Sequence, residues 1–322
     1  MAKRKFVSEF GLNMLAGYRF VLQQDQLDVI DATGVSPHIY MVARRPRISL
    51  KPNSMTFTPE SVSGEFLKHI EGETESIPFS VPNKLGTADV TVNCQYPYTE
   101  LSILDHDGTP IASGKCAALL TTFGKRFWPH LDLEVLYVGQ AYGTDGGRTA
   151  ADRLRKHETL QSIYAEALRC APDQDIWLVI CTFQEPMLIA SFDGRESVAT
   201  EASASEDTEH MHNVLHRVVR EEISEQQRIN FTEAALIRYF RPAYNKTYKD
   251  SFPNPAHTTY SECYDIDLNS VSVELQSDDL GTRFWSEAVA PSYLHICSFP
   301  LHSRDERVAM FDFFPDDGET RT

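Results

Sequence analysis

Five side chains in the middle of this chain have the types and spacing to work on a phosphodiester. Tyr137 lies near the end of the apolar run LDLEVLYVG, two residues before Gly139. Arg153 and His157 follow, four positions apart, a spacing that places both on one face of a helix. Such a pair can hold a phosphate with a fixed cation and position or shuttle a proton. Glu233 stands at the first turn of a later helix, where the helix dipole favours a carboxylate. One carboxylate can make a Mg²⁺ or Mn²⁺ site, because Mg²⁺ keeps several waters and takes few protein ligands. Asn245 follows beyond a Pro-marked turn. In hydrolysis, a hydroxyl or a neighbouring base activates water, the metal bears developing charge, and the arginine binds phosphate. Taken singly, each residue has an ordinary reading: a strand aromatic, a solvated helix face, a dipole-favoured carboxylate, a turn asparagine. The case rests on their order and on the elements that carry them.

Those elements can be read locally. LDLEVLYVG predicts a strand, and AYGTDGGR a loop. Thr149 is a good N-cap with Asp152 in capping-box position, so a helix is expected from there to about Arg169. Ala171-Pro172-Asp173 breaks it, and DIWLVICTF predicts a buried strand. The acidic stretch 185–209 reads as an exposed insertion. MHNVLHRVVREEI and TEAALIRYF predict helices, the second stopped by Pro242. On either side the chain turns β-rich. Upstream, IYMVARRPRISL, SMTFTP, ADVTVNC and TELSILDHDG predict strands, CAALLTTFGKRFW is a candidate strand and GEFLKHIEG a short helix. Downstream, SVSVELQS, YLHICSF and VAMFDFF predict strands, and the tail PDDGETRT is expected to fray. The expected division is a β-rich region 1–118, a central module 119–250, and an acidic β-rich region 251–322.

The order of the central residues resembles the GIY-YIG nuclease family. Tyr137-Val138-Gly139 matches the second signature triplet, Arg153 the helix arginine, and His157 the tyrosine or histidine often four residues later. Glu233 matches the metal-binding glutamate, and Asn245, in EAALIRYFRPAYN, the asparagine that closes the module. The resemblance implies an α+β fold, with a three-stranded antiparallel sheet flanked by helices, over about residues 119–249. It also implies metal-dependent cleavage of DNA in a restriction or defence, repair or mobile-element enzyme. Tyr137 would be the general base or its partner, with His157 the second candidate, Arg153 the phosphate ligand and Glu233 the holder of Mg²⁺ or Mn²⁺. Two departures stand out. No Gly-Ile-Tyr triplet precedes Tyr137 at the family distance; the preceding segment offers Thr122, Phe123 or Phe127. Gln140 stands where the family often has lysine, and Arg155 or Lys156 would compensate. Gly139, Gln140, Arg148, Arg155 and Lys156 are the expected substrate contacts around the site. The basic run ARRPRISLK offers Arg44, Arg45 and Arg47 to a phosphate backbone, or guards an edge strand.

Composition bounds these readings. The net charge of the 322 residues is −16, which disfavours tight metal-free nucleic-acid binding. The acidity is uneven: residues 1–130 carry 13 basic and 13 acidic side chains, and residues 251–322 carry 4 and 13. The six cysteines lack CxxC spacing, so reduced, mostly buried thiols in a cytoplasmic protein are expected. No apolar run is long enough to span a bilayer, and no secretory signal is evident. GTDGGRT is not a phosphate-binding Walker loop. His210, His212 and His216 invite a metal reading, the last two being four apart on a helix, but no carboxylate or cysteine stands at the spacing of a zinc site, and an ordinary surface patch is expected. Two other classes stand beside the nuclease. One is the same fold with cleavage lost, acting as a nucleic-acid-binding subunit. The other is an assembly protein, a homo-oligomer that associates through its acidic C-terminal region. A weak DNA binder of this charge also calls for an activating partner or ligand.

Overall fold

The computed structural model describes residues 4–142, 149–192, 201–220, 223–303 and 305–310. The chain opens with β1 (Ser8–Leu22) and α1 (Asp28–Thr33), then β2 (Ile39–Pro46). A run of short elements follows: β3 (Ile48–Leu50), β4 (Thr56–Phe57), β5 (Ser61–Ile70), β6 (Glu73–Pro82), β7 (Thr91–Asn93), β8 (Glu100–Leu104), β9 (Pro110–Lys115) and α2 (Cys116–Thr122). The middle holds β10 (Leu133–Gln140), α3 (Ala150–Leu154), α4 (Glu158–Cys170), β11 (Gln174–Phe183), β12 (Met187–Phe192), α5 (Ala204–Val219) and α6 (Glu225–Phe240). The chain closes with α7 (Glu262–Asp265), β13 (Ser270–Gln276), β14 (Phe284–Ser286), β15 (Val289–Ser292) and β16 (Leu294–Pro300). The fold is mixed α+β.

The expected three-part division does not survive. One nine-stranded sheet runs β15-β14-β10-β2-β11-β1-β13-β16, with β12 also paired to β1. It draws strands from all three expected regions. Only β3–β9 stand apart, in a four-stranded and a three-stranded sheet. Residues 48–130 are thus an insertion between two neighbours in the main sheet, β2 and β10. GEFLKHIEG, expected as a helix, is most of strand β5, which pairs with β6 from Ser61↔Pro82 to Ile70↔Glu73. Its neighbour decides: a ten-residue hairpin partner outweighs a short helical pattern that can bury only part of one face. CAALLTTFGKRFW is helical, as α2 and a 3-10 turn over Lys125–His130. VAMFDFF forms no strand in its described part, and its remainder lies outside the described residues, as does the tail. The stretch 185–209 is ordered in part, as β12 and the start of α5, while 193–200 lie outside the described residues.

The centre of the sheet is three antiparallel strands, with β2 between β10 and β11. Strand β2 alternates cleanly. Ile39, Met41 and Ala43 face one core, and Tyr40 and Val42 the other. The first core is covered by α6, whose Phe231, Leu236 and Phe240 are buried against it. The second is covered by α1, α3 and α4 through Ile30, Leu154 and Ile163. A strand buried on both faces needs apolar residues at every position, which the run Ile39–Ala43 supplies. Among the described residues no helix is long and apolar enough to cross a membrane, and all six cysteines are free thiols.

Candidate active site

The site begins with a break in strand pairing. On β10, Val135 pairs with Ala43 and Tyr137 with Val42, so one extra residue, Leu136, is squeezed in. Strict alternation from Val135 would aim Tyr137 into the α6 core. The bulge turns it onto the opposite face, beside Tyr40. Tyr40 pairs with Gly139, and the two rings cross diagonally with centroids 6.2 Å apart. Gly139 makes this possible. A Cβ there would lie 2.6 Å from the Tyr40 ring and 2.7 Å from that of Tyr137. The glycine therefore makes room for two tyrosines, where the sequence suggested room for substrate.

His157 is the third ring, 5.6 Å from Tyr40 and 5.3 Å from Tyr137. It does not share a helix face with Arg153. The expected long helix breaks at Arg155–His157 into α3 and α4, and His157 is the N-cap of α4. Its Nδ1 accepts the Leu160 N–H at 3.1 Å, so the neutral ring carries its proton on Nε2 and serves as a donor. That removes it as second candidate for general base. Thr149 and Asp152 do form the expected capping box, which fixes the start of α3. Arg153, on the last turn of α3, is exposed, and its guanidinium acts on the Tyr40 hydroxyl.

Glu233 arrives from the other side of the sheet. It lies mid-way along α6, two turns from the Ser224 N-cap, so the helix dipole offers it little. It is half-buried, and burial pushes its carboxyl up to about 7, although Arg153 and the Gln140 backbone N–H favour the charged form. Burial also raises both phenols. For Tyr40 the neighbouring Tyr137 adds to the rise, and Arg153 opposes it; for Tyr137 the Glu233 charge adds and Arg153 again opposes. Tyr40, Tyr137, Arg153 and Glu233 thus share one electrostatic environment.

Past Leu133 and Glu134, which pair with β14, the outer side of β10 holds the rest. Leu136 C=O accepts the Tyr244 N–H at 3.0 Å. Val138 N–H donates to Asn245 Oδ1 at 2.9 Å, and Asn245 Nδ2 donates to Val138 C=O at 2.8 Å. A buried asparagine therefore satisfies the β10 backbone beyond the point where β14 stops pairing. Arg241 ends α6 in the left-handed region, at φ 48°, and turns the chain towards this edge. Gln140 is tied by its side chain to Asn230 Oδ1 on α6 at 3.0 Å.

The remaining cations do other work. Arg155 pairs with Asp28, Asp31 and Asp152. Arg44 binds Glu134 at 2.7 Å and Arg47 binds Asp175 at 3.1 Å. Arg45 is buried over Trp177, 3.9 Å from its ring. The ARRPR run therefore braces the sheet and offers no free phosphate-binding face. Lys156 is exposed, and Arg148 lies outside the described residues. His210 is buried against Phe6, ring centroids 3.8 Å apart, and His212 stacks with His216. Among the described residues no group of three or more His, Cys, Asp or Glu side chains is placed to hold a metal.

Local reading missed one residue, Tyr40. Its signal was the pair Ile39-Tyr40, which stands before the insertion and far from the window ahead of Tyr137. No family model, no curated protein and no solved structure matches this chain.

Proposed function

We propose that this chain is a metal-dependent endonuclease of the GIY-YIG type that hydrolyses DNA phosphodiester bonds. The observation that carries the reading is the meeting of Tyr40, Tyr137, Arg153 and Glu233 at one end of a paired β2–β10 edge. On this reading His38-Ile39-Tyr40 stands for the first signature triplet and Tyr137-Val138-Gly139 for the second. Residues 48–130 are then an insertion between them, and β11 is the third strand of the module. The first triplet, missing from the window ahead of Tyr137, would then be displaced in sequence and retained in space.

Each residue has a role that its surroundings support. Arg153, exposed on α3, binds the scissile phosphate and offsets its charge. The raised phenols keep their protons at neutral pH, so Tyr137, the more accessible, orients the attacking water through its oxygen. With its own proton in place the phenol does not take the water's proton, which leaves to solvent as the water oxygen attacks phosphorus. Tyr40 fixes the Tyr137 ring, and His157 fixes both. Asn245 holds Val138 and with it the strand. Glu233 would hold the metal: among the described residues it makes no salt bridge, and an under-neutralised carboxylate suits a hydrated divalent ion. When bound, Mg²⁺ or Mn²⁺ supplies charge stabilisation to the phosphate oxygens and the leaving oxygen.

The binding-only reading has one observation in its favour: Gln140, where the family often has a cation, is occupied with Asn230. Cleavage of supercoiled plasmid with Mg²⁺, Mn²⁺ or EDTA separates the two. Metal-dependent cutting that disappears in Glu233→Ala, and falls by roughly 10²- to 10⁴-fold in Tyr137→Phe, is expected of the nuclease. DNA binding without cutting under every metal supports the binding module. Cutting that survives Glu233→Ala would show that the metal site is elsewhere.

A further inference from the structure

The insertion of residues 48–130 encloses a cavity of about 350 Å³ that the proposed chemistry does not use. It lies between the β3–β6 sheet and the β7–β9 sheet, beside α2. Its floor is fully apolar: Val62, Phe66, Leu101 and Ile103 are buried. Half-buried Met55, Leu119 and Phe123 form its walls. An aromatic row backs it, with Phe66 and Phe79 stacked at 5.0 Å and Phe79 against Phe123 at 4.9 Å. Gly64 allows that arrangement. It pairs with Phe79 across the hairpin, and a Cβ there would lie 2.8 Å from the Phe79 ring. The ring therefore lies flat over the hairpin and does not fill the gap between the sheets. On the facing strand, small Ala112 leaves room as well.

One lining residue is charged, Lys84, and it is exposed at the rim. The loop that carries it is built. Asn83 Nδ2 donates to Thr58 O at 2.7 Å and to Thr87 O at 2.9 Å, and Asn83 Oδ1 accepts the Leu85 N–H at 2.9 Å. A largely apolar chamber of this volume, with one charged group carried on an ordered loop at its mouth, is the usual form of a small-molecule site. The other cavities differ. The cleft around His210 is larger, about 660 Å³, but open and lined by carboxylates and histidines.

We propose that the insertion binds a small monocarboxylate, its aliphatic or aromatic body between the two sheets and its acid group at Lys84. The chamber selects an apolar body by excluding water from it. The lysine selects the charge of the head group, in a chain whose net charge of −16 would otherwise repel an anion.

Calorimetric titration of the full chain with decanoate, decanol and decylamine tests this. Decanoate is expected to bind saturably, one molecule per chain, and more tightly than the other two. Ala112→Trp fills the chamber and should weaken decanoate by at least roughly tenfold. Lys84→Glu reverses the rim charge; it should weaken decanoate by roughly threefold or more and leave decanol unchanged. Because Lys84 is exposed, that variant keeps the test decisive even if Ala112→Trp fails to fold. No saturable binding, or binding indifferent to both variants, would overturn the site. Decanol binding as tightly as decanoate would overturn the choice of an acid.

Discussion

Two charge clusters in this molecule are built in opposite ways. In the first, Arg307 joins the C-terminal part to β1. Its Nε lies 3.1 and 3.0 Å from the two oxygens of Glu9, and its Nη1 donates to Asp267 at 2.7 Å. Glu9 also accepts the Asn269 side-chain N–H at 3.0 Å. Burial alone would raise Asp267, but Arg307 and Lys5 outweigh it, and its carboxyl sits below its ordinary value. Every charge there has a partner. In the second, Glu233 is half-buried, the exposed Arg153 is the one cation that acts on it among the described residues, and burial wins, so its carboxyl rises to about 7. The first cluster is closed and holds strands together. The second is left under-neutralised, which costs stability and suits a site that receives a cation or a proton. Of these two clusters, the closed one is structural and the under-neutralised one is the candidate site for chemistry.

The contrast can be broken by substitution. The largest effect is expected at Arg307→Ala, which leaves Glu9 buried without its cation. A loss of about 3–5 kcal/mol in urea unfolding is expected; a loss under 1 kcal/mol would mean that the cluster is not closed as described. At Glu233 the sign should reverse. Its folded pKa of about 7 lies above the ordinary 4.5, so the folded state binds more protons between those values. Stability should then fall as pH rises from about 4.5 to about 7 and stay flat above. Glu233→Gln removes that loss and should gain up to about 3 kcal/mol at pH 8 and almost nothing at pH 4, in metal-free buffer. Thermal melts at the two pH values measure it; an equal shift at both would disprove the raised carboxyl. Mg²⁺ should raise the melting temperature of the parent chain at pH 8 and not that of Glu233→Gln. Gly139→Ala is expected to have the smallest effect, about 1–3 kcal/mol, by driving a methyl into the Tyr40 ring. Loss of cleavage well beyond that seen in an equally destabilised core variant would tie the tyrosine crossing to activity.

Much of the site's scaffold could be read locally. The β10 and β11 strands, the Thr149 cap and the helix ending before Pro242 depend on residues within a few positions of one another, so their signals are short-range. The places where that reading failed share a cause. The break between α3 and α4 and the mid-helix position of Glu233 depend on what each segment packs against. So does the strand at GEFLKHIEG, where β6 supplies the partner. The ARRPR run reads as a free basic edge until the acids that pair with it, Glu134 and Asp175, arrive from two other strands.

The sequence by itself determined which chemistry was present: a hydroxyl, an arginine, a carboxylate and an asparagine, in order and on elements of recognisable type. Only the tertiary structure decided which residues meet. Tyr40 reaches Tyr137 because β2 and β10 pair across an insertion, a contact between residues far apart in the chain that no local pattern encodes. The bulge at Leu136 and the bare Cα of Gly139 then decide the face on which they meet, because a strand's side chains change sides with a shift of one residue. The same pairing sets the charge balance at Glu233, since burial and distance to Arg153, and not residue type, fix how much a carboxylate costs to ionise.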